Sequence, residues 1–340
     1  MPRAVRTLDA AEHAAIGDDA LLTASEPLVV KGLARDWPLV RRGLESAGAA
    51  LDYVQQFDAG RPVTAYIADP ATGGRFTYNA DLTAMGFKRE RAVLADCLDR
   101  LREAGDDPTA QHLYIGSTDI DSHLPGFAPE NPLPLTSPLL DAHPPLASIW
   151  IGNRSIAPAH WDMSNNIAVC AVGRRRFTLF PPDQAANLYP GPLEPTPAGQ
   201  VVSMVDFDAP DFTRHPGFRI ALAAAQVAEL EPGDVLVYPA LWWHQVEALD
   251  PVNMLVNYWW NAAGDFMDSP MVTILHGFLS LRDRPLAEKQ AWRALFDYYL
   301  FGPAEAAAAH LPDHARGPLA PLDPAIARRL RAQVSARLQR

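Results

Sequence analysis

The run Ile167-Ala-Val-Cys-Ala-Val172-Gly-Arg-Arg-Arg176-Phe-Thr-Leu-Phe180-Pro-Pro182 holds two short apolar segments on either side of a glycine turn. Short runs rich in β-branched and aromatic residues, bounded by Gly or Pro, read as strands. The same pattern recurs at Ser148-Ile-Trp-Ile-Gly152, at Asp234-Val-Leu-Val-Tyr238 and at Met254-Leu-Val-Asn-Tyr-Trp-Trp260. Strands at this spacing, from about residue 110 to 262, predict an all-β sandwich or barrel core. Outward from it the pattern turns helical. Residues 85–105 carry Ala92, Leu94, Ala95, Leu98 and Leu101 between charges, which predicts an amphipathic helix. Residues 8–50 open with a helix-like stretch followed by a short strand at Pro27-Leu-Val-Val. From 269 onward the pattern is helical again, with the proline-rich stretch 302–324 read as a loop before a last charged helix. The expected organisation is therefore a β domain over 1–268 with its additions, and a helical region over 269–340.

Composition bounds what such a core can do. The 340 residues carry a formal net charge of −11, which disfavours nucleic acid or anionic lipid as a partner, since both require positive charge. No run of about 18 apolar residues is present, so no membrane span is expected. Asp9, Glu12, Asp18 and Asp19 near the start exclude a signal peptide, and the cytoplasm is the expected compartment. Two cysteines, Cys97 and Cys170, are too few for a disulfide framework and are expected reduced. The 32 prolines and 21 glycines fit many short elements and argue against a helical bundle. No P-loop, dinucleotide fingerprint or nucleophile elbow is present.

The chemistry concentrates at Pro158-Ala-His160-Trp-Asp162. In a strand, residues i and i+2 share a face, so His160 and Asp162 can offer one nitrogen and one oxygen to the same ion. Glu231-Pro-Gly-Asp-Val-Leu-Val-Tyr-Pro-Ala-Leu-Trp-Trp-His244 then reads as turn, strand, short loop and a histidine opening a further strand. In a barrel of interleaved Greek keys that strand can return beside the first. Two histidines and a carboxylate form a facial triad that leaves metal positions open. In Gly173-Arg-Arg-Arg-Phe-Thr-Leu, parity sets Arg175 with Phe177 and Leu179 on the interior face, and Arg174 and Arg176 outside. A buried guanidinium calls for a carboxylate partner. Leu255, Asn257 and Trp259 share a face by the same parity, which suits a cosubstrate wall. Residues 269–300 carry Met271, Ile274, Leu275, Phe278, Leu279, Leu281, Trp292, Leu295, Phe296 and Tyr299, more apolar surface than one helix pair needs, which predicts a homodimer.

The ordered set Ile151-Gly-Asn, Pro158-Ala-His-Trp-Asp, Asn166, Gly173-Arg-Arg-Arg, Leu179-Phe-Pro-Pro-Asp-Gln, Leu188-Tyr-Pro, Pro232-Gly-Asp-Val-Leu, Trp242-Trp-His and Val256-Asn-Tyr-Trp resembles the cupin-like JmjC hydroxylases, the family of the hypoxia-inducible-factor asparaginyl hydroxylase, and a bacterial cupin-like group. The resemblance covers 110–262 closely and the flanks more loosely. It implies a double-stranded β-helix with flanking helices, Fe(II), and 2-oxoglutarate as cosubstrate. It implies His160, Asp162 and His244 as metal ligands, Arg175 and Tyr114 on the far carboxylate of 2-oxoglutarate, and Asn166, Asn257 and Trp259 as the lining of that pocket. Two positions depart from the family. Ala157 stands where a threonine is common, and Arg175 where a lysine is usual. The activity implied is that of a dioxygenase hydroxylating a protein side chain or a small molecule. The residues alone leave open a cupin enzyme using another metal without 2-oxoglutarate, or a non-enzymatic cupin-like binding module.

Overall fold

Alternation between two sheets is the feature that organises the β core. The computed structural model describes residues 2–197 and 199–339. Its strands are β1 (Arg3–Ala4), β2 (Arg6–Leu8), β3 (Leu28–Val30), β4 (Val63–Ala68), β5 (Lys88–Ala92), β6 (His112–Asp119), β7 (Leu146–Gly152), β8 (Ile156–His160), β9 (Asn165–Val172), β10 (Arg175–Phe180), β11 (Gln226–Leu230), β12 (Val235–Tyr238), β13 (Trp243–Ala248) and β14 (Asn253–Trp260). The larger sheet runs β2-β3-β12-β9-β14-β7-β6-β4-β5, and the smaller β1-β11-β10-β13-β8. From β7 to β14 the chain passes repeatedly between them. The four-strand antiparallel halves β12-β9-β14-β7 and β11-β10-β13-β8 thus form a jelly-roll of the double-stranded β-helix kind, as the strand spacing and the motifs imply.

Side-chain parity builds three apolar layers. Ala168, Cys170, Phe177, Leu179, Leu236, Tyr238 and Leu255 point between the sheets. Ile167, Val169, Val235 and Val256 on the opposite face of the larger sheet meet helices Ala10–Leu22, Pro38–Glu45, Ala47–Gln55 and Leu94–Ala104. Ala159, Phe180 and Trp243 on the outer face of the smaller sheet are covered by Leu188, Val205 and Phe218 from the excursion between β10 and β11.

Two expectations change. The helix foreseen over 85–105 occupies only Leu94–Ala104, where Leu94, Cys97, Leu98 and Leu101 are buried at helical spacing. Its first part is instead the edge strand β5, whose charged sequence Lys-Arg-Glu-Arg lacks apolar alternation but suits an unpaired sheet edge. The compact unit holding the sheets extends to Asn261, and a second begins at Ala262 rather than at 269, because the β14 ladder ends at Trp260.

The second unit contains helices Pro270–Ser280, Leu286–Phe296 and Pro324–Leu338. No residue of the first two is buried, and Val272, Ile274, Leu275, Leu279, Leu286, Trp292 and Leu295 are exposed. Short 3-10 turns at 306–308, 313–315 and 317–319 occupy the proline-rich stretch. Both cysteines are buried and unpaired. Among the described residues no helix is long and apolar enough to cross a membrane.

Candidate metal centre

A bulge in β8 aims the first histidine. His160 pairs with His244 and Ala157 with Val246, so Pro158 and Ala159 together oppose the single Gln245. Proline has no N–H to lose from the ladder, which favours it at such a position. The extra residue turns Ala159 outward while Ala157, Pro158 and His160 face the space between the sheets. His160 and His244 therefore stand directly across the β8–β13 ladder, with ring centroids 4.3 Å apart.

Each ring is held the same way. His160 Nδ1 lies 2.9 Å from the carbonyl of Pro158, and His244 Nδ1 lies 3.0 Å from that of Trp242. A carbonyl only accepts, so Nδ1 carries a proton in both, and in the neutral ring the lone pair is then on Nε2. Burial, reinforced by any charge on His160 and opposed by Asp162, holds the His244 pKa down to about 4. At neutral pH its Nε2 is free to ligate.

Asp162 lies just past the end of β8, so it reaches the site from a turn rather than through strand parity. Its carbonyl accepts from Leu241 N–H at 2.8 Å, which ties the turn to the loop preceding His244. Leu241 adopts φ 66°, a left-handed conformation uncommon for leucine. Ala240 N–H adds a 3.0 Å bond to Asn165 Oδ1. Asp162 Oδ2 is 3.8 Å from His244 Nε2 and accepts from the Trp259 indole at 3.1 Å. One ligand atom from each of His160, Asp162 and His244 lies within 4.8 Å of the others, a spacing that can hold one metal ion.

These residues share a cavity of about 340 Å³ with Arg175. Arg175 is 2% exposed, and its Nε and Nη2 have no hydrogen-bond partner among the described residues. Arg174 and Arg176 point outward, to Asp250 at 2.9 Å and to Glu229 and Glu247 at 2.8 and 3.3 Å. The Tyr114 hydroxyl is within hydrogen-bonding reach of Arg175; burial pushes its pKa up to about 12 against the pull of that guanidinium. Asn257 and Trp259 line the cavity as well.

A model of the cupin-like domain matches residues 14–266, most of the chain. The chain belongs to the cupin-like family. HSPB1-associated protein 1 of Homo sapiens is 38% identical over 115 residues, 33% of this chain and 23% of the relative. Lysine-specific demethylase 8 of Xenopus tropicalis is 25% identical over 249 residues, 72% of this chain and 50% of the relative. tRNA wybutosine-synthesizing protein 5 of Danio rerio is 30% identical over 140 residues, 41% of this chain and 37% of the relative. The cupin-like chain thus spans about a quarter to a half of the length of these curated relatives.

One expected pocket residue of this cupin-like site falls elsewhere. Asn166 is fully buried but does not line the cavity; its Oδ1 accepts from Asn257 Nδ2 at 2.6 Å and its Nδ2 donates to Ser164 O at 3.0 Å. Its amide is spent on orienting Asn257. Sequence reasoning missed an aromatic wall. Trp150 stacks on Tyr114 with centroids 5.5 Å apart, and Tyr66, Phe76 and Phe87 continue the wall. Trp150 was findable, since it shares the inward face of β7 with Ser148, whose partner across the ladder is Asn257. Phe76 and Phe87 come from irregular chain between β4 and β5, where no periodicity marks a face.

Proposed function

We propose that the chain is an Fe(II)- and 2-oxoglutarate-dependent oxygenase that hydroxylates a protein side chain or a small molecule. The observation that carries the reading is the buried Arg175 guanidinium, with two unpaired nitrogens, facing the cavity of the His160–Asp162–His244 cluster. An unpaired cation at this depth costs several kcal/mol, and a carboxylate gripping both free N–H groups is its best partner. 2-Oxoglutarate has a keto acid suited to chelating a metal at one end and a second carboxylate at the other. Two imidazole nitrogens and one carboxylate also match the donor set of Fe(II) oxygenases with open positions.

When bound, the iron supplies oxygen activation and the oxidation of a C–H bond. The protein's residues do the rest. His160 and His244 present fixed Nε2 lone pairs, and Asp162 supplies the single negative charge. Arg175 and Tyr114 hold the far carboxylate, with Asn257 and Trp259 as walls. Trp150, Tyr66, Phe76 and Phe87 line that half of the cavity with aromatic rings. Ala157 lines it without offering a hydroxyl, a contact worth about 0.5–1.5 kcal/mol.

The names of two relatives, a lysine-specific demethylase and a tRNA wybutosine-synthesizing protein, point to lysine and to tRNA for those proteins. The net charge of −11 sets this chain against a polyanion, so the proposal keeps the protein side chain or small molecule. The proposal includes a cytoplasmic place, with which two buried free thiols are compatible. The test is succinate formation from 2-oxoglutarate by the iron-loaded protein in air. Succinate that disappears in Asp162→Ala supports the proposal. Bound metal without succinate favours a cupin enzyme of another class, and no bound metal favours a binding module.

A further inference from the structure

We infer that Trp259 positions the Asp162 carboxylate and thereby sets the metal affinity of the centre; the inference rests on the metal-centre reading above. The two histidines are oriented by backbone, since each Nδ1 is bonded to a carbonyl two residues upstream and both rings sit in the β8–β13 ladder. Asp162 has no such restraint. It lies beyond the strand end, its side chain is 20% exposed, and the backbone bond from Leu241 fixes its main chain only. Among the described residues, the donor to its carboxylate is the Trp259 indole, with Nε1 3.1 Å from Oδ2.

Trp259 is itself held by the sheet and by a neighbouring ring. It pairs with Leu146 and Asn166 in the centre of the larger sheet, and its ring meets Trp150 edge-on at 6.0 Å and 86°. Trp150 is in turn stacked on Tyr114. An indole N–H donates only and keeps its proton across the working pH range. It therefore holds one carboxylate oxygen at a fixed place without competing for the metal. Partners of this kind around metal ligands change affinity by about 10- to 100-fold when removed. The rival role for Trp259 is packing alone, which a phenyl ring largely preserves.

The experiment is a Co(II) titration of the full chain, followed by the visible d–d bands of bound cobalt, for the parent and for Trp259→Phe. The inference expects a Kd raised about 10- to 100-fold in Trp259→Phe, altered d–d bands at saturation, and a metal-free melting temperature within a few degrees of the parent. A Kd within threefold of the parent with unchanged bands overturns it. A parent that fails to bind Co(II) overturns the metal-centre reading and this inference together, so the two failures are distinguishable. Should Trp259→Phe not fold, Asp162→Ala in protein labelled with 15N-tryptophan reads the same contact from the other side. One of the eight indole N–H signals should then shift and exchange faster with solvent. Eight unmoved signals overturn the inference.

Discussion

Replacing Arg175 by methionine should move two properties in opposite directions. The side chain is 2% exposed, and two of its nitrogens are unpaired. In the ligand-free protein the guanidinium is a buried charge with the Tyr114 hydroxyl in hydrogen-bonding reach and two nitrogens without a partner among the described residues. Exchanging such a charge for an apolar side chain of similar length is expected to stabilise the fold by about 1–4 kcal/mol. At about 2–4 °C per kcal/mol for a domain of this size, the lower end alone is a measurable rise in melting temperature. For 2-oxoglutarate the sign reverses, because the ligand loses a charge-assisted bidentate partner worth about 2–4 kcal/mol, or about 30- to 700-fold in Kd. The assay is calorimetric titration of 2-oxoglutarate into protein loaded with a redox-inert metal, with thermal unfolding of the metal-free forms alongside. Arg174→Met and Arg176→Met serve as controls; both guanidinium groups lie on the outer face, paired with Asp250 and with Glu229 and Glu247, and do not line the cavity. Unchanged 2-oxoglutarate affinity in Arg175→Met, or a loss confined to the Arg174 or Arg176 variant, would refute the reasoning.

Other expectations follow from the same geometry. His244→Ala and Asp162→Ala should each abolish stoichiometric metal binding while leaving the far-ultraviolet circular dichroism native; parent-like metal content in both contradicts the ligand set. The folded-state pKa of His244 is held near 4, below the usual histidine value of about 6.5. Between those values the unfolded chain's histidine binds more protons than the folded one, so His244's contribution to the stability of the metal-free protein should be flat above pH 6.5 and fall as the pH drops toward 4. Urea titrations across that range should show the slope in the parent and a weaker one in His244→Ala; equal slopes count against it. Helices Pro270–Ser280 and Leu286–Phe296 bury none of their residues, and helices this short gain little stability without a packed face. The chain is therefore expected to form a homodimer through them, and a monomer mass by light scattering at micromolar concentration contradicts it.

Much of the site was legible because strand parity is a strict period of two. Phe177 and Leu179 marked the interior face of β10, and Arg175 shares it. His160 and Asp162 came together for a reason that parity alone does not contain: a bulge at Pro158–Ala159 sets the histidine, and a turn past the strand end sets the aspartate. Asn166 departs from what parity implies. Parity places it inward beside Ala168 and Cys170, but the hydrogen bond to Asn257 that occupies its amide is a cross-strand contact invisible in one sequence. The aromatic wall from Phe76 and Phe87 was not legible, since irregular chain carries no period to read. In sequence β5 resembles the start of a helix, because an edge strand made of charges imitates a solvated helix face.

The most direct test of the central claim is an anaerobic titration of 2-oxoglutarate into the Fe(II)-loaded protein, followed by visible absorption. A keto acid chelated to Fe(II) gives a charge-transfer band, and the account predicts that this band grows to one equivalent in the parent. It should be absent in Asp162→Ala and require far more 2-oxoglutarate in Arg175→Met. Tightly bound Fe(II) in the parent with no such band at saturating 2-oxoglutarate would contradict the account.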